Sequence, residues 1–263
     1  MIDIHAHILP GVDDGPESLD RSLEMLSRGV KDGIRGVVCT SHVLDVLDEK
    51  VEEEFIRKFE ELKAGAEKMG LNVSLWLGSE IHCQARFDMR FKVATFNNNR
   101  KYALLELPLV NYPVNAEDIF FTLRLEGITP ILAHPERNTV IMQKPEIVYA
   151  LIQRGVLMQV NSDSLTGNFG KKVKRVAFQM LDHRMVHFIA TDCHSPKNRP
   201  MRLSKAYTIV RRRYGEKEAE KLFCRNPYKA VIGEEISSPP PLSFNKKKGS
   251  SGRVAKRNFF RMR

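Results

Sequence analysis

An α/β fold built on a parallel sheet or barrel is the class this sequence predicts, and three observations predict it. Short apolar runs alternate with helical patterns along the chain. The 263 residues sit at the upper edge of one domain, where α/β barrels of roughly 250 residues are common. The composition, 42% hydrophobic and 28% charged, is that of a globular chain whose core forms without disulfides or a structural metal.

The elements follow in order. Residues 2–5 read as a strand, and 16–31 as a helix with Leu19, Leu23, Leu26 and Val30 at helical spacing. A strand at 36–40 precedes a charged helix at 49–69, and strands at 73–77 and 102–107 come next. Residues 116–126 read as a helix, 128–133 as a strand, and 145–154 as a helix with Pro145 where a helix can begin. Residues 156–160 read as a strand, 171–182 as a helix, 186–191 as a strand, and the rest as helical to about 232. The Ser-Ser-Pro-Pro-Pro run at 237–241 cannot continue a helix, so the folded body is expected over 1–236, with a linker and basic tail over 237–263.

The net charge of +10 invites a nucleic-acid or membrane-surface function, but it is unevenly placed. Residues 245–263 carry eight Lys and Arg and no acid; without them, 34 basic side chains face 32 acidic ones, a net of +2. The basic character is therefore a property of the tail, where it suits an anionic lipid or an acidic partner rather than nucleic acid. No window approaches the roughly 20 apolar residues of a membrane span. Met1-Ile2-Asp3-Ile4-His5 lacks the regions of a secretory leader. The four cysteines have irregular spacing and no CxxC, which argues against disulfides or a thiolate zinc site. A cytoplasmic protein, peripheral to the membrane if the tail binds lipid, is the expectation; oligomeric state has no sequence signal.

What the strand ends carry is more informative. His5 and His7 follow the first strand, His42 the second and Glu80 the third. Glu106 ends the fourth, His134 follows the fifth, and Asp192 and His194 follow the seventh, with Asp14 in the first loop. Carboxyl ends of parallel strands converge on one face, where α/β sheets and barrels build their sites. Five histidines and four carboxylates on one rim would repel unless cations lay between them. His5-Ala6-His7 in a strand turns both imidazoles to one side, and Asp192-Cys193-His194 repeats the spacing. Nitrogen and oxygen donors without thiolate suit manganese, iron or zinc, and nine donors suit two or three ions. Arg137 and Arg199 lie three and five residues past His134 and His194, which fits an anion with several oxygens, typically phosphate.

These motifs resemble a known family. The segment His5-Ala6-His7-Ile8-Leu9-Pro10-Gly11-Val12-Asp13-Asp14-Gly15 resembles the opening of the PHP (polymerase and histidinol phosphatase) superfamily. More narrowly it resembles the manganese-dependent protein-tyrosine phosphatases of bacterial capsule and exopolysaccharide systems. The likeness continues through Thr40-Ser41-His42, Gly78-Ser79-Glu80, Leu105-Glu106-Leu107-Pro108, His134-Pro135-Glu136-Arg137 and Thr191-Asp192-Cys193-His194, over roughly 1–235. It implies a distorted (β/α)7 barrel with up to three Mn2+ ions. His5, His7, Glu80 and Asp192 would hold one; Glu80 would bridge to a second, completed by Glu106 and His134. Asp14, His42 and His194 would hold the third, and Arg137 and Arg199 would bind the phosphoryl group. Ser41 replaces the family's common proline, and Val43 its frequent aromatic or histidine, beside ligand positions rather than at them.

The implied chemistry is phosphomonoester hydrolysis by a metal-bridged hydroxide, with His42, His194 or a metal-bound water as candidate proton donor. The implied substrate is a phosphotyrosine protein, by analogy the tyrosine-rich tail of a bacterial tyrosine kinase. Three alternative readings stand beside this one. Cys193 to Arg199 is formally C-x5-R, as in cysteine phosphatases, but Pro196 removes a backbone donor and Asp192 disfavours a thiolate. Histidinol phosphatases and polymerase-associated nucleases share the ligand types, and the basic tail alone would make a binding module.

Overall fold

In the computed structural model the structure describes residues 1–244, and the expectations for 245–263 lie outside the described residues. The strands are β1 (Ile2–Ala6), β2 (Gly36–Cys39), β3 (His42–Val43), β4 (Ser74–Leu77), β5 (Glu80–His82), β6 (Tyr102–Glu106), β7 (Thr129–Ala133), β8 (Leu157–Asn161) and β9 (Phe188–Ala190). All named pairings are parallel, as the alternation of strands with helices requires.

The second and third expected strands form as β2 and β4, and each is followed after a two-residue break by a short strand, β3 or β5, outside the expected ranges. Thr40-Ser41 separates β2 from β3, and Gly78-Ser79 separates β4 from β5, although Gly78 N–H still donates to Cys39 O and Glu80 N–H to Ser41 O. A Cβ at Gly78 would press on the Phe96 ring at 3.0 Å, closer than ordinary contact. The breaks divide the strands into one sheet of order β1-β2-β4 and another of order β3-β5-β6-β7-β8-β9. The expected closed barrel is thus not met as a closed sheet, though the mixed α/β fold with parallel sheets is. The outer strands β1 and β9 meet through a bridge between Ala6 and Cys193, hydrogen bonds from Asp192 N–H to His5 O and His7 N–H to Cys193 O, and the Asp3 carboxylate, which accepts from Thr191 N–H.

Among the described residues ten α-helices cover the sheets: α1 (Leu19–Lys31), α2 (Glu49–Lys68), α3 (Ala116–Leu125), α4 (Thr139–Gln143), α5 (Glu146–Gln153), α6 (Ser162–Thr166), α7 (Gly170–Asp182), α8 (Ser204–Tyr214), α9 (Glu216–Glu220) and α10 (Asn226–Ile232). Their starts carry local signals: Ser18 and Asp48 cap α1 and α2 by accepting from Arg21 N–H and Val51 N–H. A π-helical turn at Lys221–Arg225 joins α9 to α10, and Gly233, in the left-handed region, ends α10. The proline run does not end the ordered chain. His183 Nδ1–H donates to Leu242 O, Leu242 N–H donates to His183 O, and Phe244 stacks on His183.

The inner faces of the strands form a small core of their own, including Ile4, Val38, Leu104, Ile131 and Phe188, closed by Phe96 and by Ala230 and Val231 of α10. Two residues apart on a strand share a face, so these inner faces turn polar toward the carboxyl ends. Leu157, Gln159 and Asn161 run along β8 in this way, as do Phe188, Ala190 and Asp192 along and beyond β9. In β1 the alternation is broken, since adjacent Ile4 and His5 both face inward. A register shift between Asp3 and Ala6 allows it, an irregularity that re-aims a side chain beside a site.

Candidate metal centre

The carboxyl ends bring all nine expected residues together. His5 and His7 converge from β1, with Nε2 atoms 3.1 Å apart and 3.1 and 3.2 Å from Glu80 Oε2 on β5. Both lie 3.5 Å from Asp192 Oδ1. The other Glu80 oxygen, Oε1, lies 3.2 Å from His134 Nε2, which is itself 3.5 Å from Glu106 Oε1. His42 Nδ1 approaches Glu80 Oε2 at 3.1 Å and Glu106 Oε2 at 3.7 Å. On the outer side, Asp14 Oδ1 stands 3.1 Å from His194 Nε2 and 3.6 Å from His42 Nε2. Donor atoms cluster as His5, His7 and Glu80; His5, His134 and Asp192; His42, Glu80 and Glu106; and His7, Asp14, His42 and His194. The two Glu80 oxygens point to different groups, the arrangement of a bridging carboxylate.

Backbone strain accompanies the placement. His134 and Asp192 adopt left-handed conformations, φ 30° and 54°, just past β7 and β9. Non-glycine residues in this region are uncommon and cluster at functional sites. Here the turn aims each side chain back across the strand ends.

The donors fit a cation. His5 Nδ1–H donates to Gln159 Oε1 at 2.9 Å, and His7 Nδ1–H to Asp13 Oδ2 at 2.8 Å. Neither oxygen can donate, so each imidazole presents a lone pair at Nε2. Two such lone pairs 3.1 Å apart repel unless a proton or a metal ion lies between them. Glu80 Oε2, His42 Nδ1 and His194 Nε2 are buried without a hydrogen-bond partner, although native proteins pair nearly all such atoms. The electrostatics agree. Burial would lower the pKa of His7, but Asp13 and Glu80 outweigh it and hold it well above its ordinary value. Burial and the adjacent Glu80 push Glu106 up to about 7. A cation would relieve both conflicts.

The arginines meet the other Asp192 oxygen from the one that faces His5 and His7. Arg137 Nη1 and Arg199 Nη2 lie 2.8 and 2.5 Å from Asp192 Oδ2. The Arg137 guanidinium stacks on Phe169, its carbon 4.5 Å from the ring centroid. Arg199 closes a tight turn in which its carbonyl accepts from His194 and Ser195 N–H, and its Nε is buried without a partner. A polyoxygen anion beside the cluster would satisfy that donor.

Cys193 faces the other way. It is buried in the main core, and burial raises its thiol well above the ordinary range, so no thiolate nucleophile is available. A groove of about 590 Å3 leads away from His42, Asp14 and Glu106 between Val12, Leu44 and Phe55. Among the described residues no helix is long and apolar enough to cross a membrane.

Sequence reasoning missed three members of the site. Asp13, beside the expected Asp14, is the buried one: it takes His7 Nδ1–H, His42 N–H at 3.0 Å and Gly15 N–H at 3.0 Å. Gln159 and Asn161 of β8 are fully buried amides. Their signal was present as two polar residues at period 2 in an otherwise apolar strand.

Known proteins agree with this architecture. The chain matches the capsular polysaccharide synthesis family CpsB/CapC over residues 1–232. A putative tyrosine-protein phosphatase CapC of Staphylococcus aureus is 33% identical over 250 residues, 94% of this chain and 98% of that protein. Tyrosine-protein phosphatase YwqE of Bacillus subtilis is 30% identical with the same coverage, and CpsB of Streptococcus pneumoniae is 32% identical over 90% of this chain and all of its own. A solved structure from the pair YwqE of B. subtilis and CpsB of S. pneumoniae, described as unique metal-dependent tyrosine phosphatases, superposes with a TM-score of 0.83. It is 29% identical and covers 92% of this chain and 98% of its own.

Proposed function

The chain belongs to the CpsB/CapC capsular polysaccharide synthesis family and is a tyrosine-protein phosphatase, and we propose that His5, His7, Asp14, His42, Glu80, Glu106, His134, Asp192 and His194 hold the metal ions on which its hydrolysis depends. The observation that carries this assignment is the opposed Nε2 lone pairs of His5 and His7, each fixed from behind by an acceptor. Glu80 is the bridging ligand, supported by its two oxygens facing different donor groups. Two or three Mn2+ ions are the proposed cofactor, with iron or zinc as alternatives, because the donors are nitrogen and oxygen without thiolate. The distorted (β/α)7 barrel is kept as the finer description of the fold, supported by the Ala6–Cys193 bridge between the outer strands.

When bound, the ions supply Lewis acidity toward the phosphoryl oxygens and activation of the attacking water. The chain supplies the rest. Arg137 and Arg199 bind the non-bridging oxygens and neutralise charge that grows in the transition state, which also draws them off Asp192. The groove between Val12, Leu44 and Phe55 takes the phenyl ring and aligns the ester oxygen away from the arginines. A phenol with pKa of about 10 leaves with little protonation, so His42 and His194, also expected as proton donors, act here as ligands only. This is supported by His194 Nδ1–H, which is committed to Asp192 O at 3.1 Å.

The proposed substrate is the tyrosine-rich tail of a capsule-type kinase, met in the cytoplasm. The basic segment 245–263 is proposed to contact anionic lipid, and truncation after Phe244 should abolish binding to anionic vesicles while sparing hydrolysis of a small aryl phosphate. The deciding experiment reconstitutes metal-free enzyme with Mn2+ and compares a phosphotyrosine peptide with histidinol phosphate, using His5→Ala as the inactive control. Preference for histidinol phosphate would overturn the substrate reading, and full activity of His5→Ala would overturn the metal assignment.

A further inference from the structure

β8 ends at this rim and supplies no donor to the cluster. Its two inward amides instead make a continuous path behind the donors. Gln159 Oε1 accepts from His5 Nδ1–H at 2.9 Å and from the backbone N–H of His134 at 3.4 Å. Gln159 Nε2 donates to Asn161 Oδ1 at 2.8 Å, and Asn161 Nδ2 donates to Asp192 Oδ2 at 2.7 Å. Gln159, Asn161 and His5 have no exposed surface, so water cannot replace any step.

We propose that Gln159 and Asn161 are positioning residues, a directional relay that fixes the His5 tautomer and the Asp192 carboxylate together. The direction follows from what each atom can do. Asp192 Oδ2 also takes the two guanidinium contacts and is an acceptor, so Asn161 must turn its NH2 toward it. That turn leaves Asn161 Oδ1 facing Gln159, which must present its own NH2. Gln159 Oε1 is then left facing His5, where it requires the proton at Nδ1 and leaves the Nε2 lone pair for the metal. Reversing either amide would set donor against donor at one end and acceptor against acceptor at the other.

The relay also distinguishes two histidines that share Glu80 Oε2. His7 is backed by the carboxylate of Asp13, whereas His5 is backed by a neutral amide. One ligand thus receives anionic support and the other orientation alone. By the same contact to His134 N–H, the relay ties three donor-bearing positions from β1, β7 and β9 to one strand.

This inference rests on His5 and Asp192 being metal ligands, and the test separates the two. Mn2+ binding would be measured by calorimetry for the parent, Gln159→Met, Asn161→Leu, their double variant, His5→Ala and Asp192→Ala. Each relay variant is expected to raise the dissociation constant about 10- to 100-fold, and the double variant to do no more than the worse single one. In long-range proton–nitrogen spectra of metal-free protein labelled in histidine nitrogen, the parent should show His5 protonated at Nδ1. Asn161→Leu should loosen that assignment although Asn161 does not touch His5, which a merely structural role would not do. Circular dichroism and thermal unfolding of the metal-free proteins check folding, and Asn161→Leu and Gln159→Met each carry the spectroscopic test alone. Independent, multiplying losses in the double variant, or a His5 tautomer unmoved by either substitution, would overturn the relay. Unchanged Mn2+ binding by His5→Ala and Asp192→Ala would instead overturn the metal assignment beneath it.

Discussion

Replacing Asp13 by Asn tests the claim that the buried member of the Asp13-Asp14 pair acts through His7. Asp13 Oδ2 accepts from His7 Nδ1–H at 2.8 Å and His42 N–H at 3.0 Å, while Oδ1 accepts from Gly15 N–H at 3.0 Å. Three donors converge on a side chain that is only 5% exposed. An amide has one acceptor oxygen, so if it serves His7 and His42, its NH2 is set against Gly15 N–H at the same spacing. The variant therefore loses the anionic support of His7 and leaves one backbone donor unmade. An unmade donor costs about 1–3 kcal/mol of stability, and loss of a carboxylate behind a metal-bound histidine weakens metal binding about 10- to 100-fold, or about 1.4–2.7 kcal/mol. The assay is Mn2+ calorimetry beside Mn2+-dependent hydrolysis of a phosphotyrosine peptide, with thermal unfolding of the metal-free forms to separate the two costs. Asp13→Asn should regain much of its activity at saturating Mn2+, whereas Asp14→Ala, altered at a proposed ligand, should regain less. A dissociation constant within twofold of the parent would refute the reasoning.

Further outcomes follow from the same geometry. Arg137→Ala and Arg199→Ala should each lower kcat/KM for the phosphotyrosine peptide about 10²- to 10³-fold with Mn2+ affinity altered far less, as steady-state kinetics beside calorimetry would read; equal losses in both would place them with the ligands. Cys193→Ala should keep activity within about threefold and the parent should resist iodoacetamide, because the thiol is buried and un-ionised; inactivation by either would revive a cysteine nucleophile. His187 gives a stability signature. It is buried, accepts Met158 N–H at Nδ1 at 3.0 Å, and is pushed by burial down to about 3. The unfolded chain therefore binds a proton that the folded one refuses, so this contribution to stability is complete above about pH 6.5 and lost progressively toward pH 3. Between pH 6.5 and 5 the loss is on the order of 1–2 kcal/mol, and His187→Gln, whose carbonyl can take the same N–H, should show a flatter urea-unfolding profile. Parallel profiles would show that His187 is not the source.

Much of the site was legible because strand ends are legible. An apolar run that closes on His, Glu or Asp places that side chain on the rim whatever surrounds it, and His42, Glu80, Glu106 and His134 follow this rule. His5 and His7 obey it through a step that alternation does not foresee, since the register shift in β1 brings Ile4 and His5 to the same side. The short strands β3 and β5, beyond Thr40-Ser41 and Gly78-Ser79, were not foreseen either. Two or three residues are too few for alternation to mark as a strand, and β3 and β5 are recognisable only from the partners they pair with.

Period-2 patterning and strand-end chemistry, both local, made legible from the sequence alone the α/β class, the nine His, Asp and Glu side chains that converge, and the two arginines beside them. Tertiary structure alone decided that Glu80 divides its oxygens between donor groups, that Asp13 rather than Asp14 lies behind His7, and that the two amides of β8 are hydrogen-bonded behind His5 and Asp192. The physical reason is that hydrogen bonds and tautomers belong to pairs of atoms. His5 meets its partner Gln159 across 154 residues of chain, a distance over which no local pattern carries information.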